Sequence, residues 1–256
     1  QRQMCIRDSS LLTACHTNNV SKDTALPEKN PTVKSDSTPK SEKNSSMKDV
    51  TKENSRLEEM NLLAKQSKST EEIYVTGDVV VGENGDVKPG IYDLEITGGS
   101  GNIFGNRKDP FSLFINWVAG APGTSTDYPS KIRIILFEGD TLDFSNISKI
   151  KFNAVPEKVE MSNEAGIGEY VVGRDIKAGT YKLSTNVKLD PEFDNLGWSI
   201  DIYNNSTKKK KEQTLNSGNQ DVVVKLEDGD IISTSLYNSD PDLPSDNARL
   251  IFTEYK

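Results

Sequence analysis

The feature that most constrains the fold is an internal repeat of about 90 residues in the second part of the chain. Residues 80–94, VVGENGDVKPGIYDL, match residues 171–183, VVGRDIKAGTYKL, after a two-residue insertion in the first copy. Further blocks follow in the same order: FSLFIN (111–116) with WSIDIY (198–203), IRIILFEGDTL (132–142) with VVVKLEDGDII (222–232), and KIKF (149–152) with RLIF (249–252). The sequence therefore predicts two copies of one domain, residues 71–158 and 159–256.

The repeated blocks alternate apolar and polar residues, as β-strands do. Trp198, Ile200 and Ile202 fall on one face of such a strand. Gly-Asp pairs at 139–140 and 229–230 predict tight turns. Helical periodicity is absent after residue 70, so we predict an all-β protein with two tandem antiparallel β-sandwich repeats, jelly-roll or immunoglobulin-like. Closure into barrels is the alternative.

Three short segments have local interpretations. The glycines in the Lys-Pro-Gly and Lys-Ala-Gly sequences, Gly90 and Gly179, are expected to need a positive φ. Residues 98–106, GGSGNIFGN, resemble a phosphate-binding loop, but no helical pattern follows them, so we predict a flexible loop. The basic run 208–211 lies between two strand patterns, and we predict a solvated loop there.

The N-terminal residues indicate a lipid anchor. Residues 1–9, QRQMCIRDS, resemble translated sequencing-adapter read-through, and we exclude them from the fold prediction. The next residues match a bacterial lipobox, in which a leucine and small residues precede a lipidated cysteine: Leu12, Thr13, Ala14 and Cys15. Residues 1–15 are thus expected to be an adapter-derived segment followed by a truncated lipoprotein signal peptide. Two acyl chains on Cys15 would anchor the protein stably to a membrane.

Residues 16–70 are rich in Lys, Ser, Thr, Asn, Glu and Pro, with few apolar residues, and we predict a disordered tether. A transient helix over 50–68 is the one exception.

Residues 71–256 hold 19 basic and 30 acidic residues, a net charge of −11. Because binding to a phosphate backbone needs clustered Lys and Arg, we expect no nucleic-acid partner.

The pattern V-G-x-D-I-x-A-G-x-Y-x-L, present as VVGRDIKAGTYKL, resembles the repeated small β-domain of Gram-positive cell-surface lipoproteins. The resemblance covers both copies. It implies a β-sandwich on the extracellular face of the bacterial cytoplasmic membrane, held by the lipid on Cys15. It carries no catalytic residues that could be transferred to this chain.

The chain has one histidine and two cysteines, too few for most metal sites, for thiol chemistry or for histidine-assisted nucleophilic catalysis. Trp117 and Trp198 fall in the inward phase of their strands, which favours core positions over a sugar-stacking surface. Aromatic residues in the polar inter-strand loops are the better candidates for ligand binding, because such loops often carry binding residues. These candidates are Phe104, Tyr128, Phe193 and Tyr237.

Two acidic loops of the second repeat, LDPEFDN and NSDPDLPSDN, raise the hypothesis of a calcium site. Its candidate ligands are Asp190, Asp194, Asp240, Asp242 and Asp246, with Glu192 beside them. Neither loop has EF-hand spacing, and Asp and Pro are common in ordinary turns. We expect no other cofactor.

The sequence favours a non-catalytic binding module for a neutral glycan or a protein at the cell surface. The first alternative is a structural spacer of a cell-envelope complex. The second is a glycan-active enzyme, which needs two carboxylates facing one cleft. The oligomeric state stays open.

Overall fold

The computed structural model describes residues 47–108, 113–238 and 240–256, with side chains from residue 56 onward. The predicted lipobox, Cys15 and residues 16–46 of the predicted tether lie outside the described residues. The described part of the chain starts with a helix, α1 (Met47–Gln66). The strands that follow are β1 (Ile73–Tyr74), β2 (Val79–Val80), β3 (Gly90–Asn106), β4 (Ile115–Gly120), β5 (Lys131–Leu136), β6 (Thr141–Ala154), β7 (Glu164–Ala165), β8 (Gly168–Val171), β9 (Gly179–Thr185), β10 (Gly197–Asn204), β11 (Lys209–Asn216), β12 (Val223–Leu226), β13 (Ile231–Tyr237) and β14 (Leu250–Glu254). A 3₁₀ turn, Ser245–Asn247, precedes β14.

The strands form two sheets, which confirms the predicted all-β class. The larger sheet has the order β1-β6-β3-β5-β8-β13-β10-β11, with β2 also paired to β6 and β4 to β3. The smaller sheet has the order β12-β9-β14-β7. One apolar core contains residues of both sheets, including Ile200 of β10 and Phe252 of β14. Within the described residues, none of the helical structure has the length and apolar character that a membrane crossing requires.

Strand register is the same in the first half (71–158) and the second half (159–256) of the folded chain. β3 pairs with β5 and β6 as β9 pairs with β12 and β14, at equivalent residues. The equivalent pairs are Gly90–Leu136 with Gly179–Leu226, Leu94–Phe152 with Leu183–Phe252, and Val80–Thr141 with Val171–Ile231. The repeated sequence therefore corresponds to a repeated set of backbone pairings.

One of the matched blocks is wrong: FSLFIN is not the counterpart of WSIDIY. Ile202 of β10 lies opposite Ile232, and the equivalent residue of β6, Leu142, lies opposite Gly105. The counterpart of β10 is thus the end of β3, within the segment 98–106 that we predicted to be a flexible loop. Its glycines have low strand propensity, and register shifts interrupt the pairing between Ile96 and Asn102, so the strand is not visible as an alternating pattern.

The two halves are repeats of sequence and pairing, but they are not separate compact domains. β5 and β8 lie parallel, with Arg133 opposite Gly168, so the larger sheet continues through both halves. The described residues all fall in one compact unit, Lys43–Lys256. Gly168 has a φ of 125°, and a Cβ there would clash with the carbonyl oxygen of Arg133. We call this junction the seam, and its close approach requires glycine.

A buried ion pair also joins the halves across the seam. The guanidinium of Arg107 donates from Nη1 to Oε1 of Glu169 at 2.8 Å and from Nη2 to Oε2 at 3.0 Å. These side chains are 5% and 0% exposed. The Nη2 atom also donates to the carbonyl of Ile135 at 2.8 Å, and Glu169 accepts the N–H of the same residue at 2.9 Å. Removing one partner would leave a buried charge, which typically costs about 3–5 kcal/mol.

Helix α1 covers the seam, so the prediction of a disordered tether is wrong for residues 47–70. Met60, Leu63 and Ala64 are buried in a second apolar cluster. The cluster also contains residues of four strands from both halves: Ile91, Ile135, Val171 and Ile231. The residues after α1 continue the attachment, since the N–H of Thr70 donates to the carbonyl of Phe152 at 2.9 Å. The transient helix predicted over 50–68 is thus a packed helix, stabilised by contacts with the sheet and not by propensity.

A glycine and a tyrosine form the same structure in both halves. The hydroxyls of Tyr92 and Tyr181 each donate, at 2.8 Å, to the backbone carbonyl four residues earlier. A Cβ at Gly90 would lie 2.7 Å from the ring of Tyr92, and one at Gly179 would lie 3.1 Å from the ring of Tyr181. Neither glycine has a positive φ, so that prediction is wrong. The glycines instead make room for the tyrosine rings.

The Gly-Asp pairs do form turns, and their aspartates hold them. Gly139 and Gly229 have φ values of 82° and 84°. Asp140 accepts the backbone N–H three residues earlier at 2.9 Å, and Asp230 makes the same bond at 2.9 Å. Burial raises the pKa of both carboxyl groups.

The predicted loop over 208–211 holds only for Lys208, which lies in the turn before β11. Lys209–Lys211 begin β11, which ends the larger sheet, and Lys210 forms ion pairs with Asp201 at 3.5 Å and Glu212 at 2.6 Å. Charged residues on an edge strand oppose pairing with another chain. This position explains the lysines without a binding role.

Candidate functional site

The seam carries an aromatic cleft of about 320 Å³ on its surface. Its walls come from β4, from the loop before β5, from the segment between β7 and β8, and from the end of β13. The lining residues are Asn116, Trp117, Val118, Asp127, Tyr128, Pro129, Ile167, Leu196, Ser235, Leu236, Tyr237 and Asn238. Two of the four predicted aromatic residues, Tyr128 and Tyr237, therefore come together here from different halves.

The loop that carries Tyr128 is held by the 3₁₀ turn of the second half. The N–H of Ser245 donates to the carbonyl of Thr126 at 2.9 Å, and its hydroxyl donates to the carbonyl of Asp127 at 2.8 Å. Asp246 accepts the N–H of Ser130 at 2.7 Å and its hydroxyl at 2.8 Å. Both ends of the loop tip are thus fixed, which positions Tyr128 before any ligand arrives.

The two tyrosines are exposed, and a buried tryptophan lies in the same lining. Tyr128 is 40% exposed and Tyr237 is 62% exposed. Trp117 is almost fully buried, and its indole N–H donates across the seam to the carbonyl of Thr234 at 3.1 Å. Trp198 is buried as well, so both tryptophans are core residues as predicted. Trp117 nevertheless contributes to the lining of the cleft.

The cleft has little charge. Asp127 is the one lining residue with a carboxylate, and the described lining contains neither lysine nor arginine. Its other polar side chains are uncharged: two amides, Asn116 and Asn238, the hydroxyl of Ser235 and the two phenols. An amide and a carboxylate can together donate and accept hydrogen bonds, as neighbouring hydroxyl groups of a ligand require.

The other two predicted aromatic residues lie outside the lining. Phe104 is on β3, not in a loop, and is 42% exposed. It lies opposite Asn116 of β4, so its side chain is on the same sheet face as that cleft residue. Phe193 is in the loop before β10 and is also exposed, but it does not line the aromatic cleft. Phe104 therefore extends the apolar surface beside the cleft, and Phe193 does not.

The predicted calcium ligands do not converge. Among the described residues, no three His, Cys, Asp or Glu side chains are arranged to hold a metal ion. Asp190 accepts the N–H of Glu192 at 2.8 Å, and Asp240 accepts those of Lys188 and Asp242 at 2.9 and 3.0 Å. Asp246 binds Ser130 as described above, while Asp194 contributes to no such group. Asp190 and Asp240 hold their own loops and Asp246 holds the loop of Tyr128, which corrects the calcium hypothesis.

Sequence reasoning missed most of the polar lining. Asn116 and Ser235 lie on strands of different halves, and no local pattern indicates that the seam brings them together. Asp127 is the exception, since it precedes Tyr128 in a polar loop and could have been included with it.

No family model, curated protein or solved structure matches the chain.

Proposed function

We propose that the chain is a lipid-anchored, extracellular bacterial surface protein whose aromatic cleft binds a neutral glycan without acting on it. The observation that carries this proposal is the pairing of Tyr128 and Tyr237 in one nearly uncharged cleft. Each ring has an apolar face and a hydroxyl group, so it can pack on the apolar face of a pyranose and bond to its edge.

The charge of the cleft supports the choice of ligand. A polyanion would meet Asp127 and no cation in the described lining, within a region of net charge −11. An uncharged sugar avoids this repulsion, and its hydroxyls match the amide of Asn116 and the hydroxyl of Ser235. A neutral glycan therefore fits better than an anionic polymer or nucleic acid.

The same lining favours binding over catalysis. Hydrolysis of a glycosidic bond commonly uses two carboxyl groups that flank the bond. The described aromatic cleft contributes one, Asp127. The glycan-active enzyme is thus the least supported of the three functions.

The structural spacer keeps one specific observation in its favour. The halves are joined by the continuous sheet, by the Arg107–Glu169 pair and by α1. A unit so connected would hold a fixed length between two partners. In that case the cleft would have no ligand, and substitutions of Tyr128 or Tyr237 would have no effect beyond stability.

The test is glycan binding by the full chain, measured by calorimetry with a panel of neutral oligosaccharides that includes diacetylchitobiose. We expect Y128A and Y237A each to weaken binding about tenfold, because truncating a central aromatic contact typically costs more than 1 kcal/mol. The matched control is Y255A, because Tyr255 is 54% exposed and lies outside the cleft. Equal loss in all three variants, or binding of no glycan, would reject the proposal and direct the search to a protein partner.

The anchor needs its own test. With an intact signal peptide, labelled palmitate should enter the wild-type protein and not C15A. Equal labelling of the two proteins, or of neither, would remove the lipoprotein part of the proposal without affecting the cleft.

A further inference from the structure

A second, charged pocket adjoins the aromatic cleft. It has a volume of about 480 Å³ and shares Ile167 with the cleft. The loop before β5 also contributes to both, with Tyr128 and Pro129 in the cleft and Ser130 and Lys131 in the pocket. Its charged lining residues are Asp93, Lys131, Arg133, Glu164, Asp246 and Arg249. A ligand longer than one sugar ring could extend from the cleft into this pocket.

Part of this charge is already used within the fold. Nε of Arg133 donates to Oδ1 of Asp93 at 2.6 Å, and its guanidinium lies 5.5 Å from the ring centre of Tyr170. Asp246 is occupied by the two bonds from Ser130. Burial raises the pKa of Tyr170, whose oxygen accepts the N–H of Gly166 at 2.9 Å. These groups form the walls of the pocket and have limited capacity for a ligand.

Two cations keep capacity for a ligand. Among the described residues, no carboxylate lies within ion-pair distance of Lys131 or Arg249. Arg249 donates from Nη1 to the backbone carbonyls of Asp246 at 2.9 Å and Ala248 at 2.6 Å. These bonds hold the guanidinium in place while leaving the N–H groups of Nε and Nη2, and a guanidinium fork suits a carboxylate. Lys131 is exposed at the start of β5, in the same pocket.

We propose that the cleft and the charged pocket form one extended site for a saccharide whose uncharged ring carries a carboxylate-bearing substituent. The ring occupies the aromatic cleft, and the carboxylate binds Arg249 and Lys131. This inference rests on the proposed function, because it assigns the ring to the same tyrosines. It differs from polyanion binding, since one carboxylate meets two cations while the rest of the ligand stays neutral.

Glu164 allows a test in which removing a charge should strengthen binding instead of weakening it. It is exposed and lines the same pocket, so its negative charge opposes a carboxylate there. E164Q should therefore strengthen binding of the acidic saccharide, whereas R249Q and K131Q should weaken it. Opposite effects would show that the carboxylate senses the charges of this pocket, whereas a general attraction to positive charge would also be weakened by removing a lysine outside it.

The experiment compares two disaccharides on the full chain. Diacetylchitobiose is neutral, and N-acetylglucosaminyl-N-acetylmuramic acid differs from it by a lactyl ether that carries a carboxylate. We expect the acidic disaccharide to bind about tenfold more tightly, because a charge-assisted hydrogen bond is typically worth that much. The advantage should decrease as salt is raised, since the pocket is open to solvent.

The variants separate this inference from the proposed function. R249Q and K131Q should lose the tenfold preference while still binding diacetylchitobiose, and K158Q, an exposed lysine outside the pocket, should keep it. Melting curves would show whether R249Q is folded, and K131Q provides the test if it is not. A preference that is absent in the wild type, or that survives R249Q and K131Q, overturns the inference alone. Failure of both disaccharides to bind overturns the inference, and failure of the whole neutral panel overturns the proposed function with it.

Discussion

The first and second halves of the folded chain share their strand pairings but differ in how the strands are connected. In the first half, β3 and β6 run for 17 and 14 residues without a break. In the second half, the equivalent strands are divided into β9 and β10, of 7 and 8 residues, and into β13 and β14, of 7 and 5. The divided strands allow β9 and β14 to form the smaller sheet with β12 and β7.

The difference shows that the site depends on the asymmetry of the repeats. The two interruptions, residues 186–196 and 238–249, contribute Leu196 and Asn238 to the aromatic cleft. The second interruption also contains the 3₁₀ turn that holds the loop of Tyr128. Two identical halves would present neither wall, so the cleft comes from what the second repeat adds to the shared pairings.

The largest effect should come from breaking the ion pair that makes the halves one unit. R107M leaves the buried carboxylate of Glu169 without its partner, and we expect a loss of about 3–5 kcal/mol in the free energy of unfolding. K182M is the control, because the Lys182–Asp221 pair is exposed and such pairs contribute about 0–1 kcal/mol. Urea unfolding followed by tryptophan fluorescence measures both. A similar small loss in the two variants would mean that the halves do not depend on this pair.

The next effect tests whether α1 belongs to both halves. L63A removes an apolar side chain that is 7% exposed, and we expect a loss of about 2–3 kcal/mol in stability. Its neighbour Leu62 is 64% exposed on the same helix, so L62A should change stability by less than about 0.5 kcal/mol. Differential scanning calorimetry should give a single transition that moves to lower temperature in L63A. A stable core with only the helix lost would contradict the description of α1 as part of the unit.

The smallest effect compares one motif in its two copies. Y181F removes one hydroxyl-to-carbonyl bond, and we expect it to cost about 1 kcal/mol. Y92F removes the equivalent bond, and also the oxygen that accepts the N–H of Lys68 at 3.3 Å, just after α1. It should therefore cost somewhat more than Y181F in the same urea titration. The reverse order would show that the link to α1 contributes nothing at this tyrosine.

Sequence reasoning predicted the features that depend on local patterns. The repeat, the all-β class, the Gly-Asp turns and the two buried tryptophans all follow from alternation, turn residues and self-similarity. Two exposed aromatic residues that line the cleft, Tyr128 and Tyr237, were among the predicted candidates; Tyr128 lies in its predicted loop, whereas Tyr237 is the last residue of β13 and not a loop residue.

The features that were missed depend on contacts between distant segments. A helix over 50–68 was predicted, but its docking on strands of both halves was not, because its few apolar residues resemble those of a linker. The glycine-rich end of β3 becomes a strand because Ile103 is buried between β4 and β6. The polar lining of the cleft, including Asn116 and Ser235, exists only once the seam has formed.

The position of α1 has a mechanical consequence. If the chain is held at Cys15, a pull on the protein enters the folded unit at the N-terminal end of this helix, and the contacts of Leu57, Met60 and Leu63 are loaded one after another. Contacts that are peeled in sequence yield at lower force than contacts that are sheared together. Unwinding 20 residues from a helix to an extended chain adds about 40 Å of length. Under such a pull, the helix would thus act as an extensible element that lengthens before the strands of the cleft bear any load.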